Sequence, residues 1–171
     1  MKTLTFYLAA FSLVFAVSSA NAMTIEMLNK DDAGNKMVYS EELARVGVGE
    51  TITWIPTSKG HNVEMIAGPD GAELPKKSKN GKEVSMTFEV PGIYYYWCTP
   101  HKGMGMIGLV VVGEDTSNKD VIAKAKALGK SKKKLKTLYY CRSEAIKRAE
   151  LVSLKVERTI IPESECLACE A

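Results

Sequence analysis

Residues 93–112 read IYYYWCTPHKGMGMIGLVVV and contain two apolar segments separated by a short loop. In the first segment, 93–98, Tyr94 and Tyr96 share one strand face with Cys98. The second segment, 107–112, is a nearly continuous apolar run, which is typical of a strand buried on both faces. The stretch therefore predicts two core strands that hold a short loop between their ends.

The sequence before residue 113 contains further short β-segments. Residues 51–55 alternate apolar and polar side chains and end at Pro56, and residues 84–90 alternate in the same way. Turn-forming residues occupy the intervening loops, notably 31–34, 48–50 and 67–71. Several short strands at this spacing predict an all-β protein with an antiparallel β-sandwich.

The character of the sequence changes after Gly113. Residues 117–120 carry a capping pattern for a helix that runs through Leu128 and is ended by Gly129. A second helical pattern begins near Ser131. Residues 114–138 are thus predicted to be a C-terminal helical segment.

Residues 1–22 have the features of a secretory signal peptide. Lys2 supplies a positive charge, residues 4–17 are almost entirely apolar, and residues 20–22 fit the small-x-small cleavage pattern. No segment approaches the roughly 20 apolar residues that span a bilayer. We therefore expect a soluble, exported protein that begins at Met23 and lies in a bacterial periplasm.

The charges are unevenly distributed along the chain, whose net charge is +3. Residues 23–113 carry nine Lys/Arg and eleven Asp/Glu, whereas residues 114–171 carry thirteen Lys/Arg and nine Asp/Glu. No basic patch accompanies a recognisable nucleic-acid-reading element, so we expect no nucleic-acid partner.

The loop after Cys98 is rich in metal-binding side chains. The chain has only two histidines, His61 and His101, and the second follows Cys98 by three residues. Met104 and Met106 complete the loop. One thiolate, two imidazoles and a distant thioether are the ligand set of a blue-copper site, and the spacing leaves either methionine open as the fourth ligand.

Other interpretations of these residues are weaker. Each alone is ordinary: a loop histidine, a buried thiol or a gap-filling methionine. Structural zinc sites usually use four Cys or His ligands without methionine, so the thioether favours copper. No third histidine or paired carboxylate indicates catalysis, so an enzyme is not expected.

Two motifs resemble those of the pseudoazurins, a family of bacterial cupredoxins: KGHNVE at 59–64 and CTPHKGMGMIG at 98–108. The resemblance implies a cupredoxin domain over residues 23–113, a Greek-key β-sandwich followed by short C-terminal helices. It also implies one type 1 copper ion, and its ligands are carried over by position: His61, Cys98 and His101 in the equatorial plane and Met106 on the axis.

The resemblance also implies roles for neighbouring residues and for partners. The Asn62 backbone amide would donate to the cysteine sulfur and its side chain would tie the two ligand loops, while Pro100 would offer the sulfur no N–H. Electrons would pass through His101 at an apolar patch, during transient docking with c-type cytochromes and nitrite reductase. We expect a monomer whose docking face carries a ring of lysines, Lys59, Lys76, Lys77, Lys79, Lys82 and Lys102.

Two matters stay open from the sequence. A periplasmic copper-binding or delivery protein is the alternative function. The tail, residues 139–171, departs from the family and adds Cys141, Cys166 and Cys169. A disordered extension or a shifted reading frame would each explain it.

Overall fold

The computed structural model describes residues 22–138. The predicted signal peptide, apart from Ala22, and the atypical tail, with Cys141, Cys166 and Cys169, lie outside the described residues. Within 22–138, none of the helices has the length and apolar character needed to cross a membrane.

Eight strands form two four-stranded sheets, which confirms the all-β fold. One sheet has the order β2-β1-β4-β6 and the other β3-β8-β7-β5. The strands are β1 Met23–Lys30, β2 Lys36–Tyr39, β3 Leu43–Val46, β4 Thr51–Ile55, β5 Glu64–Ala67, β6 Val84–Thr87, β7 Gly92–Trp97 and β8 Ile107–Val112. The predicted strand over 84–90 is shorter than expected because its ladder with β4 ends at Thr87.

The expectation of purely antiparallel sheets is wrong. β1 pairs with β4 in parallel, and β3 pairs with β8 in parallel. The chain crosses to the second sheet as β3 before it returns as β4, so β4 re-enters the first sheet in the direction of β1. The alternation of apolar and polar residues within a strand indicates which face is buried. It does not indicate the direction of the neighbouring strand.

β7 and β8 form the centre of the second sheet and are buried along their whole length. Tyr94, Tyr96 and Cys98 share one strand face, as predicted, and the structure places that face in the core between the sheets. The other face of the pair packs in a separate apolar cluster with Ile122 and Leu135 from the C-terminal segment. Both faces of these strands are therefore covered, which explains the continuous apolar run in β8.

The helical segment differs in detail from its prediction. The first helix, α1, covers only Lys119–Ala123, and residues 130–138 are helical after an irregular stretch. Asn118 occupies the N-cap position without a side-chain capping bond. Its Oδ1 instead accepts from the Ile93 N–H at 3.0 Å, and its Nδ2 donates to the Ile93 carbonyl at 2.7 Å. The buried Asn118 amide thus satisfies the backbone of Ile93 on the edge of β7 that faces away from β8, where the pairing with β5 does not extend.

Asn118→Ala leaves both backbone groups of Ile93 without these partners, so we expect the free energy of unfolding to fall by about 2 kcal/mol. Urea denaturation measures this loss. Ser117→Ala is the matched control because the exposed Ser117 hydroxyl bonds only to Asp115. Its effect should stay within about 0.5 kcal/mol. Equal losses in the two variants would contradict this role of Asn118.

Candidate metal centre

The loop between β7 and β8 is held by its own backbone hydrogen bonds. The Cys98 N–H donates to the Met106 carbonyl at 2.9 Å, which closes the loop at its base. Inside it, the Met104 N–H donates to the His101 carbonyl at 2.9 Å, across a 3₁₀ turn over Lys102–Met104. Gly105 ends this turn with a φ of 99°, a value that glycine adopts without strain. The loop is therefore shaped by its own backbone hydrogen bonds.

Three donor atoms converge at one end of the sandwich. His61 comes from the loop between β4 and β5, while Cys98 and His101 come from the loop after β7. The Cys98 Sγ lies 3.7 Å from His61 Nδ1 and 3.4 Å from His101 Nδ1, and the two Nδ1 atoms are 3.1 Å apart. The structure thus brings together three of the four residues that the sequence singled out.

The dimensions of this triangle fit a metal ion. A point equidistant from the three atoms lies about 2 Å from each, close to the bond lengths of imidazole and thiolate ligands. His61 and Cys98 are fully buried, whereas His101 is partly exposed. Neutral nitrogen lone pairs that face each other at this distance repel, and a shared cation removes that repulsion. The donor set, two nitrogens and one thiol sulfur, suits copper or zinc.

A polar side chain from β1 sets the orientation of the His61 ring. The His61 Nε2 lies 2.9 Å from Oδ1 of Asn29. An amide oxygen only accepts hydrogen bonds, so Nε2 carries the proton and Nδ1 keeps its lone pair toward the other donors. No local pattern predicts this role of Asn29, because the residue is 32 positions from His61 and lies in an ordinary strand.

The Asn62 side chain ties the two ligand loops together. Its Oδ1 accepts from the Thr99 N–H at 2.8 Å, and its Nδ2 donates to the Thr99 hydroxyl at 3.0 Å. The Asn62 carbonyl accepts from the Tyr39 hydroxyl at 2.7 Å. This tie confirms one of the roles that the family resemblance implied for Asn62. Because Asn62 follows His61 and Thr99 follows Cys98, this tie holds the two loops in a fixed position relative to each other.

A second polar network, centred on the Glu64 carboxylate, also binds Thr99. Glu64 Oε2 accepts from the Thr99 hydroxyl and from the Trp97 indole N–H, both at 2.7 Å. The Lys102 ammonium lies 4.6 Å from the centre of the Trp97 ring. Partial burial raises the pKa of Glu64, but these two hydrogen bonds, with Lys77 and Lys102 nearby, lower it overall. The carboxylate therefore stays charged. No local sequence pattern predicts this role of Glu64.

The donor groups have pKa values shifted by burial. Burial raises the pKa of the Cys98 thiol, while backbone N–H groups of Asn62 and His101 oppose this rise. Burial also lowers the pKa of both imidazoles, and for His61 the neighbouring His101 adds to the effect. Both rings are therefore neutral at pH 7, which is the form that binds metals.

The two methionines of the loop have different environments. Met104 is 48% exposed, whereas Met106 is fully buried in the same apolar cluster as Cys98. Met106 also shares backbone hydrogen bonds with Cys98 and His101. The structure thus separates two residues that spacing alone left equivalent.

Asn29→Ala removes the acceptor that holds the His61 tautomer, so we expect affinity for a probe ion such as Zn²⁺ to fall about tenfold. Calorimetric titration measures the affinity, and ¹⁵N NMR of the metal-free protein reports which His61 nitrogen is protonated. Asn35→Ala is the control, because that side chain bonds to Asp31 in the β1–β2 turn. A single Nε2–H tautomer that persists in Asn29→Ala would refute this role.

Comparison with known proteins agrees with this geometry. Residues 25–113 match the family described as copper binding proteins, plastocyanin/azurin family. A putative pseudoazurin from Rhizobium leguminosarum bv. viciae is 38% identical over 139 residues, which cover 77% of this chain and 90% of that protein. A pseudoazurin from Paracoccus pantotrophus is 39% identical over 129 residues, or 74% of this chain and 88% of that protein.

Solved structures show the same relationship. The crystal structure of native pseudoazurin from Hyphomicrobium denitrificans has a TM-score of 0.65 and 41% identity, over 70% of this chain and 97% of that one. Pseudoazurin from Methylobacterium extorquens AM1 also gives 0.65, with 37% identity over 70% and 98% of the two chains. The cofactor is therefore copper, and its chemistry is electron transfer without turnover of a substrate. The chain belongs to the plastocyanin/azurin family of copper-binding proteins, and pseudoazurins are among its relatives.

Proposed function

We propose that His61, Cys98, His101 and Met106 hold a single type 1 copper ion, and that the protein uses it to carry electrons one at a time between redox proteins. The observation that supports this most directly is the convergence of the His61, Cys98 and His101 donor atoms within 3.7 Å. The alternation of copper between Cu(I) and Cu(II) would supply the redox step.

A fast carrier needs a site that changes little when the electron arrives. The ligand loop is closed by the bond between Cys98 and Met106, and Asn62 joins it to the His61 loop. Asn29 fixes the His61 ring. Because these bonds come from residues next to the proposed ligands, they orient the donors and limit their rearrangement. Two imidazoles, a thiolate and a weak thioether then serve both oxidation states.

Burial favours an electron carrier over a copper-delivery protein. Delivery needs ligands that a partner can reach and replace. His61, Cys98 and Met106 are fully buried, and among the loop's metal-binding side chains only His101 and Met104 reach the surface. A partner can therefore approach one ring edge without reaching the other proposed ligands.

His101 is the proposed point of electron entry. Its ring is partly exposed, and Pro100, Gly103 and Met104 are exposed around it. This small apolar patch suits brief contact with another redox protein. Exposed lysines at 59, 76, 77, 79 and 82 can steer an acidic partner toward it.

We infer that the protein works in a bacterial periplasm and delivers electrons from c-type cytochromes to nitrite reductase. The signal-like segment 1–22 and the similarity to pseudoazurins support this inference. Cell fractionation tests the location, and recovery of the protein with the cytoplasmic fraction would refute it.

Loading the protein with Cu(II) should produce an intense thiolate-to-copper band in the visible region and a small copper hyperfine splitting in EPR. Cys98→Ser should abolish the band, because it removes the sulfur that donates the charge. A pale, tetragonal spectrum from the unaltered protein would contradict the proposed function.

Met106→Leu and Met104→Leu distinguish the two candidate axial ligands in the same spectra. Leucine has a similar volume and no thioether, so Met106→Leu should change the EPR parameters and the reduction potential while the fold is kept. Met104→Leu should leave both nearly unchanged. The reverse pattern would assign the axial position to Met104.

Electron transfer to an acidic nitrite reductase should slow as salt is added, because screening weakens steering by the lysines. Stopped-flow measurement between about 10 and 100 mM salt should show the rate fall by about tenfold or more. Lys76→Gln combined with Lys77→Gln should flatten the dependence, while Lys119→Gln should not, because this exposed residue follows Asn118, which bonds to Ile93 at the end of β7 away from Cys98. A rate insensitive to salt would exclude steering.

A further inference from the structure

The C-terminal helical segment lies directly against the ligand loop. The Ser131 hydroxyl donates a hydrogen bond to the Lys102 carbonyl, in the 3₁₀ turn between His101 and Met106. Ser131 is fully buried. The contact joins the first turn of the 130–138 helix to the one part of the loop that projects toward solvent.

Two glycines allow this contact to be close. A Cβ atom at Gly129 would lie 2.5 Å from the Gly103 carbonyl oxygen, and the φ of Gly129 is +55°. A Cβ atom at Gly105 would lie 3.5 Å from the Lys130 Cβ. Residues 129–131 therefore pack on the loop backbone with no space between them, and the turn cannot shift outward unless the segment moves.

The segment is itself anchored to the sandwich. Lys134 forms an ion pair with Glu42, which lies just before β3. Leu135 is buried in the apolar cluster that includes Ile107 and Leu109 of β8. The ligand loop is thus held between β8 and a helix that is attached to the same sheet.

We propose that Ser131 is a positioning residue for the metal centre: its bond to Lys102, with the close packing of Gly129 on Gly103, fixes the turn that places His101 and Met106. This inference rests on the proposed function for its copper readouts. Without the bond, the Lys102 carbonyl lacks the donor that the buried Ser131 supplies and the turn gains freedom, so the proposed ligands on either side are less well oriented.

Ser131→Ala tests the proposal, with Thr137→Ala as the matched control. Thr137 is an exposed residue of the same helical segment, and its hydroxyl bonds only to the Lys133 carbonyl. Both changes remove one hydroxyl from one helical segment, but Ser131 alone contacts the loop. Differences between the two variants therefore report on the loop contact and not on helix propensity.

Hydrogen exchange in the metal-free protein is the first readout. The amides of Met104, Gly105 and Met106 all donate within the loop, to the His101 and Lys102 carbonyls. In Ser131→Ala we expect them to exchange about tenfold faster, as the loss of one buried hydrogen bond implies. The Leu109 amide, bonded to the Glu42 carbonyl at 2.8 Å, should keep its rate. Thr137→Ala should change neither.

The copper-loaded proteins give the second readout. Ser131→Ala should alter the EPR hyperfine splitting and the reduction potential, and should release copper to a chelator about tenfold faster. Thr137→Ala should match the unaltered protein in all three. A merely structural role for Ser131 would lower the unfolding temperature and leave the splitting and potential unchanged.

Each outcome decides the proposal. Loop amides that keep their rates in Ser131→Ala, or that accelerate together with Leu109, would overturn it. So would a normal copper spectrum and potential in that variant. A missing charge-transfer band in the unaltered protein would instead refute the proposed function, and hydrogen exchange would still decide whether Ser131 positions the loop.

Discussion

The geometry of the donor site depends on the hydrogen bond from the Cys98 N–H to the Met106 carbonyl, which closes the loop between β7 and β8. It follows directly on the β7–β8 ladder, whose final pair is Trp97 with Ile107. Because the strands are paired up to the point where the loop begins, the loop starts and ends at fixed positions. A register shift of one residue would turn Cys98 from the inner to the outer face and separate its sulfur from both imidazoles. The strand pairing that builds the core therefore also sets the geometry of the site.

The aromatic core supports the site from below and supplies it with polar groups. Tyr39 packs edge-on against Tyr96 with ring centres 4.9 Å apart, and Tyr96 packs against Trp54 at 5.3 Å. The Tyr39 hydroxyl reaches the Asn62 carbonyl at the top of this stack. Large rings fill the space between the sheets, and a hydroxyl at the end of one ring satisfies a buried carbonyl that an aliphatic side chain would leave unpaired. Packing and ligand positioning are thus linked through one residue.

What the residue pattern alone could predict was local, whereas the tie between Asn62 and Thr99, 37 residues apart, came from the family resemblance. The alternation in 93–98 and the apolar run in 107–112 identified the two central strands, and the CTPH motif with His61 identified three donors that do converge. Other long-range arrangements had no such signal. No residue near Asn29 in the sequence indicates its hydrogen bond to His61. Asn118 is a residue type that commonly caps helices, but its side chain bonds to β7 instead. Parallel strand pairing and the Glu64 network likewise depend on segments brought together only by folding.

The loop satisfies two opposing demands because its residues face in opposite directions. A site that rearranges little must be buried and tightly bonded, yet a partner must come close enough to exchange an electron. Met106 and Cys98 lie on the buried side, where the aromatic core excludes water, while Gly103 and Met104 lie on the outer side. His101 stands between them and is the donor with an edge at the surface. Among the three converging donors, exposure to solvent is therefore confined to the His101 ring, and the other two keep the environment that the core provides.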